Sequence, residues 1–374
     1  MQWDALRIDT EPAAGEATTL PGYTDDAVVR RFEAPEALET RFYEVRSKSV
    51  LNRVPAASRM PFRWTINPYR GCSHACVFCF ARPTHVFLGW DAGRDFAKEI
   101  VVKVNAPEVL RAELRRPSWA REHVALGTNT DPYQWVESKY RLMPGIWEAL
   151  RDARTPSSVL TKSPLLLRDM ALMKEIAEVA SFTANLSIPT LEQKAWRDTE
   201  PHTPNPRARL EAVAELNRNG IPTGILIAPL MPGINDDPRQ IEELLTAAAE
   251  AGATGIGGIA LHLRGEVRGV FMDWLRSQRP DLVPLYEELY ADGAYVQAAE
   301  RRRLAALLPV PISASNAPAG PRRTGTASME PFSQDPDSRL RNVGSEGPAP
   351  GTSGQTANKA TSQRPEIGLQ KALF

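Results

Sequence analysis

Residues 69–82 read YRGCSHACVFCFAR and contain every cysteine of this 374-residue chain, Cys72, Cys76 and Cys79. Three thiols within eight positions form no disulfide framework, and a reducing compartment leaves them free to bind metal. A structural zinc takes four protein ligands, and His74 inside the run or His85 just after it would complete such a set. A [4Fe–4S] cluster takes one ligand per iron, so three cysteines would leave one iron open to another molecule. On spacing alone, both readings stand.

Around this run, short β-rich stretches alternate with helical ones from Phe62 to about residue 308. The strands read FRWTINPY (62–69), HVALGTNT (123–130), SSVLTKS (157–163), SFTANLSIP (181–189), TGILIAPLM (223–231) and GIGGIALHL (255–263). Three helices carry start signals in which a capping residue precedes proline: Ser163-Pro164, Asn205-Pro206 and Asp237-Pro238. The last two stop at Gly220 and Gly252. Alternating strands and helices predict parallel β/α units. Six of them suit an α/β fold with an open, partial (β/α)6 barrel rather than a closed barrel of eight. Ligands in such sheets sit at the carboxyl ends of the strands. The distinctive residues collect there: Cys72 after strand one, Asp131 after two, Lys162 ending three and Ser187 in four.

Residues 1–60 read as an extension packing on the core, with a helix and a strand within 25–50. Residues 61–310 read as the barrel and its following helices. From 311 to 366 the chain is rich in Pro, Gly, Ser and Thr and nearly free of large apolar side chains, which predicts a disordered linker. Lys and Arg number 45, as do Asp and Glu, so no whole-molecule field draws the protein to nucleic acid or anionic membrane. The Arg run at 299–308 is a local basic face. No stretch approaches the ~20 apolar residues that span a bilayer, and the acidic first residues lack a signal pattern. Both features predict a cytoplasmic protein.

The CxxxCxxC run after the first strand of a partial barrel, with Phe78 before the last cysteine, resembles the radical S-adenosylmethionine superfamily over about residues 62–270. Within it, TNTDPYQWVE (128–137), VLTKS (159–163) and NLSI (185–188) look like the branch that includes spore photoproduct lyase. The resemblance implies a [4Fe–4S] cluster on the three cysteines, S-adenosylmethionine on the open iron, and a reductant such as flavodoxin or ferredoxin. One electron would then release a 5'-deoxyadenosyl radical that abstracts hydrogen, in a lyase or transferase type of reaction. It further implies that Phe78 lies at the adenine side and presents its backbone. Asn129 and Asp131 would sit near the methionine ammonium, Lys162 would meet the carboxylate, and Ser187 would touch the carboxylate or the ribose. Met231, with Gly233 and Asn235, would shape the adenine end. In that branch a cysteine just after the second strand returns hydrogen to the product. Gly127 stands there in this chain, so Tyr133 and Tyr69 become candidate redox phenols.

The last five residues, QKALF, place Gln370, Leu373 and Phe374 as in the QxxLF peptides that resemble bacterial sliding-clamp ligands. Residues 367–374 are therefore a peptide motif on a tether of about 55 residues, with a reach of roughly 40 Å. Such a peptide fills an apolar groove, and it points to DNA repair or modification. Two other functions compete: the same chemistry on a protein or small metabolite, and a non-catalytic iron–sulfur or zinc binding module.

Overall fold

The stretch expected to form one first strand, FRWTINPY, is divided at Pro68, and the division separates two sheets. Proline offers no N–H to a ladder, so pairing stops on one side and resumes on the other. The computed structural model describes residues 17–308, apart from positions 38, 56, 57 and 59. Residues 1–16 of the expected extension, the linker at 311–366 and the peptide holding Gln370, Leu373 and Phe374 lie outside the described residues.

The strands in chain order are β1 Ala17–Thr18, β2 Ala27–Arg30, β3 Arg41–Val45, β4 Leu51–Arg53, β5 Trp64–Ile66, β6 Tyr69–Arg70, β7 Glu99–Lys103, β8 Val124–Leu126, β9 Ser157–Thr161, β10 Phe182–Ser187, β11 Thr223–Leu230 and β12 Ile256–Ala260. One sheet has the order β12-β11-β10-β9-β8-β5-β4. Its six strands from β5 to β12 are parallel neighbours, with Thr65 opposite Ala125, Leu126 opposite Val159, Leu186 opposite Thr161 and Leu226 opposite both Ser187 and Gly257. These are the six expected strands, and they form the partial barrel. β4 closes one edge antiparallel to β5.

The other sheet, β1-β2-β3-β7-β6, has no counterpart in the sequence reading. Its centre is the parallel pair of β3 with β7, Phe42 opposite Ile100 and Tyr43 opposite Val101. β7 is buried at all five positions. Residues 25–50 were expected to hold a helix and a strand; 27–45 differ from that. They instead form two strands joined through a short 3-10 turn at Pro35–Ala37. Arg41 and Tyr43, two apart on β3, both reach Glu99, and Arg30 bonds Glu44 across the β2–β3 pair, a pattern a helical reading does not anticipate.

The capping signals hold in detail. Asn205 accepts from the Arg207 amide ahead of the helix Pro206–Arg218, and Asp237 accepts from the Arg239 and Gln240 amides ahead of Pro238–Glu250. Gly220 and Gly252 follow with φ of 77° and 71°, the left-handed turn that ends a helix without a Cβ penalty. The third helix departs from expectation. Ser163 does cap it, but Pro164–Asp169 is 3-10, and the α-helix begins only at Met170. Because Asp237 is exposed and accepts two otherwise orphaned amides, Asp237→Ala should destabilise the protein by about 1 kcal/mol, measured as a lower urea midpoint with an unchanged slope.

Candidate active site

The cysteine run leaves β6 through Gly71, at φ 87°. A Cβ there would lie 3.0 Å from the Glu99 and Phe96 carbonyl oxygens and from the His85 ring, so the turn accepts only glycine. Four anchors then fix the backbone. Cys72 N–H donates to the Phe96 carbonyl at 3.0 Å, and Val77 N–H to the Thr199 carbonyl at 3.0 Å. The buried Gln134 amide straddles Cys72, donating to the Gly71 carbonyl at 3.1 Å and accepting from Ser73 N–H at 3.0 Å. Arg82, also buried, donates to the carbonyls of Ala75 (3.1 Å), Cys76 (2.8 Å), Ala92 (3.0 Å) and Gly93 (2.6 Å). Its guanidinium lies over the Phe96 ring, 5.2 Å from the centroid.

Cys72 and Cys76 are buried and Cys79 is half-buried, none of them in a disulfide. Burial raises all three thiols above the ordinary range, and for Cys72 the nearby Asp131 adds to it. Free thiols here stay protonated at neutral pH. A cationic metal centre supplies the charge that converts them to thiolates.

Neither histidine joins the cysteines in a ready cage, although the Nδ1 of each is buried without a hydrogen-bond partner. His85 is fully buried, and its Nε2 carries the proton it donates to the Glu99 carbonyl at 2.8 Å. His74 faces Asp131, Nδ1 to Oδ2 3.4 Å. Among the described residues, no three Cys, His, Asp or Glu side chains gather around a point the size of one ion. The cysteine loop is thus not a ready single-ion cage, and a cluster that takes each thiolate on a separate iron does not need one.

Lys162 ends β9 beside this loop, and its ammonium lies 5.6 Å from the centre of the Phe78 ring. Nζ donates to Ser187 Oγ at 2.7 Å and pairs with Glu200 Oε1 at 2.5 Å. The other Glu200 oxygen accepts from Arg209 Nη1 at 2.9 Å, and the same nitrogen donates to the Ser187 carbonyl at 2.8 Å. Lys162, Glu200, Arg209 and Ser187 therefore close a ring. Glu200 and Arg209 are 1% and 0% exposed. Burial alone would raise the Glu200 carboxyl, but Arg209 and then Lys162 outweigh it and hold the carboxyl below its usual range. The ring sets two cations against one carboxylate, and the third ammonium proton of Lys162 is left to donate. Sequence reasoning found Lys162 and Ser187 but missed Glu200, Arg209, Gln134 and Arg82. None of these four sits in a repeating pattern, and Glu200 lies in a turn-rich segment that reads as loop.

Asp131 is committed to the chain. Oδ1 accepts from Thr161 Oγ1 at 2.6 Å and Tyr133 N–H at 2.9 Å, and Oδ2 accepts from Lys162 N–H at 2.7 Å. It ties the loop after β8 to the end of β9. Asn129 Oδ1, in the same loop, is buried without a partner, as is Asn67 Oδ1 just beyond β5. Met231 is fully buried against Cys76 and Phe78. Its N–H donates to Asn235 Oδ1 at 2.6 Å, and Gly233 turns at φ 75° beside Leu282. Phe78, Asp131, Lys162, Ser187 and Met231 thus surround the cysteine loop.

Tyr133 does not join them. It is fully buried, donates to Asp169 Oδ2 at 2.9 Å and accepts from Trp147 Nε1 at 2.6 Å. Tyr69 is likewise buried and donates to Glu137. Both candidate redox phenols thus donate to interior carboxylates. Gly127 adopts φ 78°, and a Cβ on it would lie 1.8 Å from the Leu160 carbonyl oxygen. The position that holds a hydrogen-returning cysteine in the resembling branch has no room for any side chain.

Two outcomes follow from this geometry. Gly127→Ala should lower stability by roughly 3 kcal/mol or more, because the left-handed backbone and the Leu160 contact both oppose it; thermal unfolding checks this. Burial pushes His85 down to about 4, only partly opposed by its bond to Glu99. The unfolded chain then takes up a proton near pH 6.5 that the folded chain refuses until about pH 4. Stability should fall across that window by roughly 3 kcal/mol. His85→Gln keeps a donor and should flatten the dependence, as read by urea unfolding at pH 7 and pH 4.5.

Residues 66–245 match the model of the Radical SAM superfamily. An uncharacterized protein of Mycobacterium tuberculosis is 45% identical over 304 residues, covering 81% of this chain and 89% of its own length. Among solved structures, a spore photoproduct lyase mutant superposes with TM-score 0.52 at 14% identity, over 71% of this chain and 77% of that one. Spore photoproduct lyase complexed with dinucleoside spore photoproduct gives TM-score 0.50 at 14% identity, over 74% and 81%. Those two likenesses are of fold. No helix among the described residues is long and apolar enough to cross a membrane. With its three cysteines in the loop that leaves β6, between the first and second strands of a six-stranded partial barrel, this chain belongs to the radical S-adenosylmethionine superfamily, whose enzymes use a [4Fe–4S] cluster, S-adenosylmethionine and a reductant.

Proposed function

We propose that this chain is a cytoplasmic enzyme that generates a 5'-deoxyadenosyl radical at the mouth of the barrel and abstracts hydrogen from nucleic acid. The observation that carries the chemistry is the approach of the Lys162 ammonium to the Phe78 ring, at 5.6 Å. It brings a half-buried cation with a spare donor onto the loop that bears the thiols.

The residues present fit both groups. Cys72, Cys76 and Cys79 would hold the cluster, since a metal resolves the burial of three protonated thiols. Lys162 and Ser187 would hold the methionine carboxylate, a charge-assisted contact. The orphaned Asn129 oxygen suits the ammonium, because a buried acceptor asks for a donor. Phe78 and Met231 wall the remaining side. Asp131 is a positioning residue that fixes the Asn129 loop against Lys162. When bound, the cluster and S-adenosylmethionine supply the radical. The chain contributes orientation and exclusion of water, through a loop pinned by Gln134 and Arg82.

The nucleic-acid assignment is supported by the QKALF peptide, which would tether the enzyme to a sliding clamp through Gln370, Leu373 and Phe374. Gly127 separates this chain from an enzyme that returns hydrogen through a thiol at that position. The reading is tested by anaerobic reconstitution with about four irons per chain, followed by S-adenosylmethionine, a strong reductant and deuterated DNA. Label passing into 5'-deoxyadenosine supports it, and label retained in the DNA removes the nucleic-acid reading. Lys162→Ala leaves Glu200 paired with Arg209, so iron content should persist. Affinity for S-adenosylmethionine should fall about tenfold to a hundredfold, as expected for losing a charged hydrogen bond of roughly 1.5–3 kcal/mol; equilibrium dialysis measures it.

A further inference from the structure

Three rings from distant parts of the chain meet where the cysteine loop reaches the last barrel strand. Phe80 directly follows Cys79. His262 lies two residues beyond β12, and Tyr295 follows the helix Val283–Leu289. The His262 ring centroid is 5.9 Å from that of Phe80 and 5.8 Å from that of Tyr295, with interplanar angles of 51° and 46°. The arrangement is built rather than incidental. His262 and Tyr295 form an antiparallel bridge, Leu263 N–H donates to the Ala294 carbonyl at 2.7 Å, and Tyr290 Oη donates to the Leu261 carbonyl at 2.7 Å. Leu261 and Leu263 are buried against Cys76, Phe78 and Met231, so the segment is braced on the cysteine loop. The Arg82 latch fixes the backbone on the Phe80 side.

Rings that serve only to bury one another end up covered. These do not: Phe80 is 43% exposed and Tyr295 41%, two of the few large apolar side chains that stand so open among the described residues. Arg264, exposed and two residues beyond His262, has no ion-pair partner among the described residues. Exposed rings beside an exposed guanidinium match the parts of one ligand class. An unstacked nucleobase offers a planar face to stack, a polar edge and a phosphate. A peptide or lipid would ask for a broader apolar surface.

We propose that Phe80, His262 and Tyr295 form a stacking platform that receives an unpaired base of the nucleic-acid substrate beside the cysteine loop, with Arg264 at its phosphate. This rests on the nucleic-acid reading above and names its docking site. The same face could also receive the adenine of S-adenosylmethionine, so the test has an arm for each source.

The experiment uses the full chain, reconstituted without oxygen, and a short fluorescein-labelled single-stranded DNA of mixed sequence read by anisotropy. Affinity for S-adenosylmethionine is measured in parallel by dialysis, and iron content reports folding. Phe80→Ala and Tyr295→Ala should each weaken DNA binding about tenfold, as for loss of a base-stacking ring. Phe80→Trp should restore it, and affinity for S-adenosylmethionine should hold. DNA binding by the parent protein that neither alanine variant changes overturns the platform and leaves the nucleic-acid reading intact. Loss of S-adenosylmethionine affinity alone assigns the rings to the cofactor and overturns it too. No DNA binding by the parent protein overturns both.

Discussion

The structure turns on a buried carboxylate, Glu200, that needs a cation beside it. Glu200 sits between Lys162 and Arg209 with almost no solvent contact. Either cation without it would be a costly buried charge, and it would be one without them. The ring draws together three segments: the residue after β9, the end of β10 and residues 199–209, a turn that runs into the helix Pro206–Arg218. The same turn holds the cysteine loop, through Val77 N–H on the Thr199 carbonyl and the His202 ring against the Ser73 carbonyl at 3.2 Å. The lysine and the thiols are therefore set relative to one another by a single strap of chain. A site that must hold a charged sulfonium nucleotide against a metal cluster needs that kind of registration, since small misplacements are expensive in rate.

Much of the fold was legible because its signals are local. The six barrel strands are apolar runs bounded by proline, glycine and capping residues, and Asn205 and Asp237 cap the helices that their Pro neighbours begin. The second sheet was not legible. Its central pair joins residues 41–45 to 99–103, and β7 is a short run with no turn signal to mark it. Pro68 gave a clue that was passed over, as it breaks a run that hydrophobicity alone reads as one strand.

The site divides in the same way. Cysteine spacing is a covalent pattern and survives any folding uncertainty. Phe78, Lys162 and Ser187 were reached through family resemblance, and the geometry gathers them. Glu200 and Arg209 were out of reach, because their significance is only that each neutralises the other in a place no solvent enters. The Tyr133 phenol, a candidate from the sequence, is turned to Asp169 and Trp147 in the interior, a contact that neighbouring residues in the sequence do not disclose. Gly127 shows how a missing side chain becomes a positive statement. The strand after it passes so close that the resembling branch's thiol could not be accommodated on this backbone. Hydrogen return, if this enzyme performs it, uses another group.

The central claim is that the chain holds a cluster with one iron left for S-adenosylmethionine, and electron paramagnetic resonance of the reduced, anaerobically reconstituted protein tests it most directly. A reduced [4Fe–4S] signal that changes shape when S-adenosylmethionine is added, and changes less in Lys162→Ala at the same concentration, is the predicted result. A signal indifferent to S-adenosylmethionine, or a mononuclear centre in place of the cluster, would contradict the account.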